Sequence, residues 1–170
     1  MPKISINPDA VTNLNGATTI DNGNVTLDNL ENRYIARTPF ITAINRETYN
    51  TGSGFRYRMT EISRIGNTFQ VNSNGDIEVM DDTCSYIMIS GSTVGYTNGE
   101  QAAAAWIYKR NSSGTVTTIT RSIGYGTYQH ISFPPKIIPV SKGDTFYLSN
   151  QNGTTYVDSN AIYLTIIGIA

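Results

Sequence analysis

The sequence predicts an all-β protein, a β-sandwich or jelly roll, over most of its length. Three observations carry that reading. The last ten residues, Ala161 to Ala170, read A-I-Y-L-T-I-I-G-I-A, without charge or proline and rich in β-branched and aromatic side chains, which marks a strand. From Asn67 onward about nine short strand patterns alternate with turn residues every eight to twelve positions. Finally, only 15% of residues are charged, against ~25% in an average soluble domain. Gly, Asn, Ser and Thr take their place, as in the nearly neutral surfaces of β-rich shells and fibres.

The chain divides into three parts. Residues 1–34 hold seven asparagines and no aromatic before Tyr34. Val11, Leu14, Ile20, Val25, Leu27 and Leu30 are too sparse to build a private core. Such a segment reads either as a loose terminus or as an extended arm that orders in a partner's groove; the arm is the expectation carried forward. Residues 35–66 are expected to bridge. Around them Arg33, Arg37, Arg46, Arg56, Arg58 and Arg64 supply six of the twelve basic residues. They either face an acidic partner or pair with Glu31, Glu47 and Glu61 at the surface, where each pair contributes about 0–1 kcal/mol. Phe55, Tyr57 and Met59 alternate with Arg56 and Arg58 in a strand pattern.

Residues 67–170 are expected to form the sandwich. Thr68 to Val71 is a strand, and Asn74-Gly75 is a strong hairpin dipeptide before Asp76 to Met80 returns. Ser85 to Ser92 follows, with Ile87 and Ile89 on one face and Tyr86, Met88 and Ser90 on the other. Gln101 to Lys109 has the local propensity of a helix through its four alanines, but its position between β segments and its Trp106-Ile107-Tyr108 ending favour a strand. The alanines then mark a tight place. Asn111-Ser112-Ser113-Gly114 turns into an exposed strand, Thr115 to Arg121, and Gly124-Tyr125-Gly126 is expected to be a loop. Tyr128 to Phe133 is a strand that Pro134-Pro135 should end, since proline cannot donate to a ladder. Ser141 to Asp144 is a turn, Thr145 to Ser149 a strand, and Asn150 to Gly153 a loop.

The closing strand is apolar on both faces. Ile162, Leu164 and Ile166 alternate with Tyr163, Ile167 and Ile169, and Thr165 is the one polar member. An antiparallel strand commonly keeps one face wet. A strand dry on both sides implies one face in its own core and the other against a second copy of the chain.

Several classes of function are disfavoured. A net charge of -1 and a pI near 5.7 provide no basic footprint for nucleic acid or an anionic membrane. No apolar run approaches the ~20 residues of a membrane span, and no leader pattern follows Met1, so synthesis in a cytoplasm without a secretory signal is expected. The single cysteine, Cys84, reads as a small buried hydrophobe. His130 is the only histidine, and it sits mid-strand beside Ile131 and Phe133. No nucleophile elbow, phosphate loop or Cys/His metal spacing is present. Asp76, Glu78, Asp81 and Asp82 offer hard oxygen ligands, but their spacing fits no calcium loop and suits a solvated turn. No catalytic residue, metal or cofactor is therefore expected.

The order of the strand motifs resembles the globular domain of the C1q and tumour necrosis factor superfamily. Asn74-Gly75-Asp76 leading to Tyr86 is similar to the family's early strand pair, although Cys84-Ser85 stand where the family usually carries Gly. Ala104 to Tyr108, followed by Lys109, Arg110 and Asn111, is similar to its central strand and turn. Val140 to Leu148, V-S-K-G-D-T-F-Y-L, resembles its L-x-x-G-D-x-(V/I)-x-L step. The resemblance implies a ten-stranded jelly roll assembled as a homotrimer, with the C-terminal strand near the threefold axis. Tyr163, Ile167, Ile169 and Trp106 are the candidate trimer-interface residues.

An Asn-rich arm on such a trimer also looks like bacteriophage virion proteins: head decoration proteins, head fibres and tail tips. The expected function is a non-enzymatic virion structural protein, exposed on the particle and attached to capsid or tail proteins through its arm. A receptor-binding tail protein and a C1q-like adhesion module of a cell or spore remain as alternatives. Tyr96, Tyr125, Tyr128 and Tyr156, at or near loops, are the candidate ligand-binding residues for cell-surface glycan. The competing role for these tyrosines is to cap the sandwich ends or line the trimer seam.

Overall fold

The computed structural model describes residues 38–45, 54–96, 102–125, 128–152 and 162–169. The expected arm, Arg33, Arg37, Arg46 and Tyr156 lie outside the described residues. Ten strands form: β1 (Phe40–Asn45), β2 (Met59–Ile65), β3 (Phe69–Val71), β4 (Ile77–Val79), β5 (Tyr86–Tyr96), β6 (Ala102–Arg110), β7 (Val116–Tyr125), β8 (Tyr128–Pro139), β9 (Thr145–Asn152) and β10 (Tyr163–Ile169). There is no helix among the described residues. The strands make two five-stranded antiparallel sheets, ordered β2-β1-β10-β5-β8 and β3-β4-β9-β6-β7. The expected all-β jelly-roll sandwich is the fold observed.

Strand alternation builds the core. Ile41 and Ala43 of β1, Ile87 and Ile89 of β5, Leu164 and Ile166 of β10, Ile107 of β6 and Phe146 and Leu148 of β9 are all buried between the sheets. Each full burial of such a large apolar side chain contributes roughly 1.5–3 kcal/mol. The alanines of β6 settle its helix-or-strand ambiguity. Ala103 and Ala105 are almost wholly enclosed, and a larger side chain at either would have to displace packed neighbours. Tyr57 is buried too, and its hydroxyl accepts a hydrogen bond from Thr93 Oγ1 at 3.1 Å.

Two tight turns share one device. Asn72 Oδ1 accepts from the backbone N–H of Asn74 at 3.0 Å and of Asp76 at 3.1 Å. Asn111 Oδ1 likewise accepts from Thr115 N–H at 2.8 Å. In each, the glycine three residues after the asparagine bonds back to its carbonyl at 2.9 Å, with φ of +79° at Gly75 and +88° at Gly114. Asparagine supplies the side-chain acceptor, and only glycine takes that φ without strain.

Several sequence expectations need correction. Residues 40–65, read as part of a bridge, contribute β1 and β2, and β1 pairs along β10 within the first sheet. Gly124 and Tyr125 are not in a loop; they continue β7 and pair with Ala103 and Ala102. Asn150 to Asn152 continue β9 in the same way. Pro134-Pro135 does not end its strand, because β8 runs on to Pro139. The prolines occupy a bulge: Phe133 pairs with Gly91 and Lys136 with Ile89, so two residues face Ser90 alone. β8 is also an edge strand, and a proline there forfeits no ladder bond on its free side.

Candidate functional site

The outward face of the first sheet carries an unusual pattern. On β10, Leu164 and Ile166 point into the core, while Tyr163, Thr165, Ile167 and Ile169 point outward and remain partly or largely accessible. Strand register then places Ile65, Phe40, Ile167, Met88 and Ile137 side by side across all five strands. This is one continuous apolar row, and Ile137 at its end is 62% exposed. The next outward row is made of hydroxyls: Ser63, Thr42, Thr165 and Ser90. Within it Thr42 and Thr165 share a hydrogen bond of 3.1 Å. On the far side of the apolar row, Ile169, Tyr86 and Pro139 are neighbours, and Tyr86 is half exposed. An open antiparallel face normally alternates polar-out; an apolar band of this breadth marks a surface meant to be covered.

Tyr163, Ile167 and Ile169 thus lie together on this face, and the sequence signal missed their partners. Phe40, Met88, Ile65 and Ile137 come from four other strands, so nothing local links them to Ile167. The signal available was Phe40-Ile41-Thr42-Ala43-Ile44, apolar on both faces like β10 itself. Trp106 does not belong with them. It sits on the outward side of the second sheet, 5.8 Å from the ring of Tyr108. Tyr108 stacks on Tyr147 at 5.1 Å, and the guanidinium of Arg56 covers Tyr147 at 4.0 Å. Trp106 therefore ends an aromatic ladder, and β6 and β10 belong to different sheets because strand pairing is not sequential.

The candidate ligand tyrosines separate as well. Tyr96 and Tyr128 are direct cross-strand partners at one end of the first sheet. Tyr125 ends β7 in the second sheet and is 77% exposed. It joins Ile123, also exposed, on the edge strand β7.

Charged groups are used structurally. The buried Asp76 carboxylate pairs with Arg56, whose Nε donates to Oδ1 at 2.7 Å. Burial, reinforced by the nearby Arg110, lowers the Arg56 pKa from its ordinary value. The remaining acids of the expected cluster point to separate tasks. Glu78 accepts from Asn72 Nδ2 at 3.3 Å, Asp81 from Thr83 N–H at 3.0 Å, and Asp82 from Lys142 N–H at 3.1 Å. Partial desolvation would raise the Asp81 pKa, but hydrogen bonds from Thr83 and Thr68 outweigh it and hold the carboxyl below its usual range. No group of metal-ligating side chains is assembled among the described residues. His130 is exposed on β8, with Val94 as its strand partner.

The family-like step Val140 to Leu148 has a clear physical basis. Gly143 turns at φ +85°. Asp144 is buried, its Oδ2 accepting from Ser141 N–H at 2.9 Å and meeting Lys109 Nζ at 2.6 Å. Lys109 Nζ also donates to the Pro139 carbonyl at 2.9 Å, tying the second sheet to the first.

Neither a protein-family model nor a curated protein matches the chain. Solved structures do match in fold. Crystal structures of murine APRIL at pH 5.0, pH 8.5 and pH 8.0 each superpose with a TM-score of 0.65 at 9% identity, covering 78% of this chain and 99% of theirs. The class is thereby defined as a tumour necrosis factor-like jelly roll. At that identity the likeness is one of fold.

Proposed function

We propose that this chain is a non-enzymatic structural protein of a phage virion, a homotrimer held by the outward face of the first sheet. The observation that carries the assembly is the five-residue apolar row Ile65–Phe40–Ile167–Met88–Ile137. A second apolar patch, Ile123 and Tyr125, lies elsewhere, on the edge strand β7. Two different patches favour a head-to-tail contact, which closes into a ring when the rotation allows. Ring closure fits a threefold assembly better than a self-complementary dimer does.

The asparagine-rich residues 1–34 serve as the attachment arm, and the trimeric jelly roll is displayed outward with cell-surface glycan as its ligand. Support comes from the sparse apolar spacing of that segment and the weakly charged composition of the whole chain. The test is particle loading. A chain lacking residues 1–34 should remain trimeric but fail to bind phage particles. Undiminished loading would end the arm hypothesis, and a loss of trimers would move the assembly contact into the arm.

A further inference from the structure

A cleft of about 340 Å³ is lined by residues of the edge strands β7 and β8, the end of β6 and the Asn111 turn. Two lysines cross between the sheets there in opposite directions. Lys109 of the second sheet reaches Pro139 O of the first; Lys136 of the first reaches Ile119 O of the second. Their electrostatics differ. Lys109 is neutralised by the buried Asp144. Lys136 forms no ion pair among the described residues and, with one donor spent on a carbonyl, keeps two free. Around it stand the hydroxyls of Thr115 and Thr117 and the amide of Asn111, over an apolar floor of Ile119 and Ile138. Asn111 Oδ1 is occupied by Thr115 N–H and Ser113 Oγ, both at 2.8 Å, which leaves its two N–H donors for a ligand.

We propose that this cleft binds one carboxylate-bearing sugar unit of a surface glycan. One uncompensated ammonium matches one carboxylate, hydroxyls and an amide match a polyol, and the isoleucine floor accepts the C–H face of a pyranose. The volume lies at the small end of ligand pockets, ~300–1,000 Å³, which suits a single ring. The assignment names a ligand class for the adhesive role above and rests on that reading. It moves the glycan site away from the tyrosines to a place where no aromatic lines the wall.

Calorimetric titration of the full chain with 3′-sialyllactose and with trigalacturonate, against lactose and inorganic phosphate, tests it. At least one acidic sugar should bind, with lactose much weaker. Lys136→Gln should reduce that affinity ~10- to 100-fold, the range for losing a charge-assisted hydrogen bond. Lys136→Arg should retain most of it, and Lys142→Gln, outside the cleft, should leave it unchanged. Thr117→Val, which removes one hydroxyl from an exposed position, should weaken binding even if Lys136→Gln fails to fold. Equal binding of lactose, binding of phosphate alone, or indifference to both Lys136→Gln and Thr117→Val would overturn the proposal. Particle loading and molar mass are read separately, so a failure of the cleft leaves the arm and the trimer face standing, and the reverse.

Discussion

Asp144 does three things at once. It closes the turn through Ser141 N–H, neutralises Lys109, and through that lysine helps hold the two sheets together. Asp144→Ala would strand a half-buried ammonium and an unpaired backbone N–H. It is expected to cost about 2–3 kcal/mol, a magnitude typical of losing hydrogen bonds to charged groups, measurable as a lower urea midpoint with an unchanged slope. Gly75 is constrained twice. Its φ is +79°, and a Cβ there would lie 2.7 Å from Arg58 Cα. Gly75→Ala should therefore destabilise by about 1–3 kcal/mol on the same measurement. Cys84 is buried, and burial first, then the Asp81 charge, raises its thiol pKa. A raised pKa leaves less thiolate at any pH below it, and access is blocked as well. Iodoacetamide at pH 8 should label the native protein far more slowly than the urea-unfolded chain.

At the level of elements, what was legible in the sequence is what depends on local chemistry. Asn74-Gly75 and Asn111 to Gly114 announced their turns because the asparagine acceptor and the positive-φ glycine lie within one short stretch. The closing strand announced its two apolar faces by composition alone; Leu164 and Ile166 are buried in the core, whereas Tyr163, Ile167 and Ile169 stay partly accessible. What escaped depends on distant partners. Nothing within Phe40–Asn45 says that its neighbour is β10, more than a hundred residues later, so the sequence alone reads β1 as part of a bridge. Pro134-Pro135 spoke for a strand end, whereas the facing Ser90 and the free edge of β8 let the ladder continue around a bulge. Trp106 is grouped with Tyr163, Ile167 and Ile169 in the sequence reading, and only the pairing of β6 with β9 reveals that it lies on the other sheet from them. The practical consequence is a domain limit. A fragment of residues 67–170 lacks β1 and β2 together with the buried Ile41, Ala43, Tyr57 and Met59. It should show no cooperative thermal transition, whereas residues 36–170 should unfold cooperatively.

For the whole molecule, the two sheets have opposite characters on their outward sides. The second carries an arginine–aromatic ladder in which Arg56 pairs with Asp76 and lies over the ring of Tyr147. The first presents an apolar band crossing every strand that stays partly accessible among the described residues. That asymmetry, together with the exposed Ile123 and Tyr125 on the β7 edge, is the physical ground on which the self-assembled ring is proposed. Light scattering of the intact chain beside Ile167→Asp tests this most directly, since the substitution puts a charge in the middle of the band without touching the core. The intact protein should give three times the 18.6 kDa chain mass, and Ile167→Asp should give a folded monomer. A monomeric intact chain, or an Ile167→Asp protein as trimeric as the original, would contradict assembly through this face.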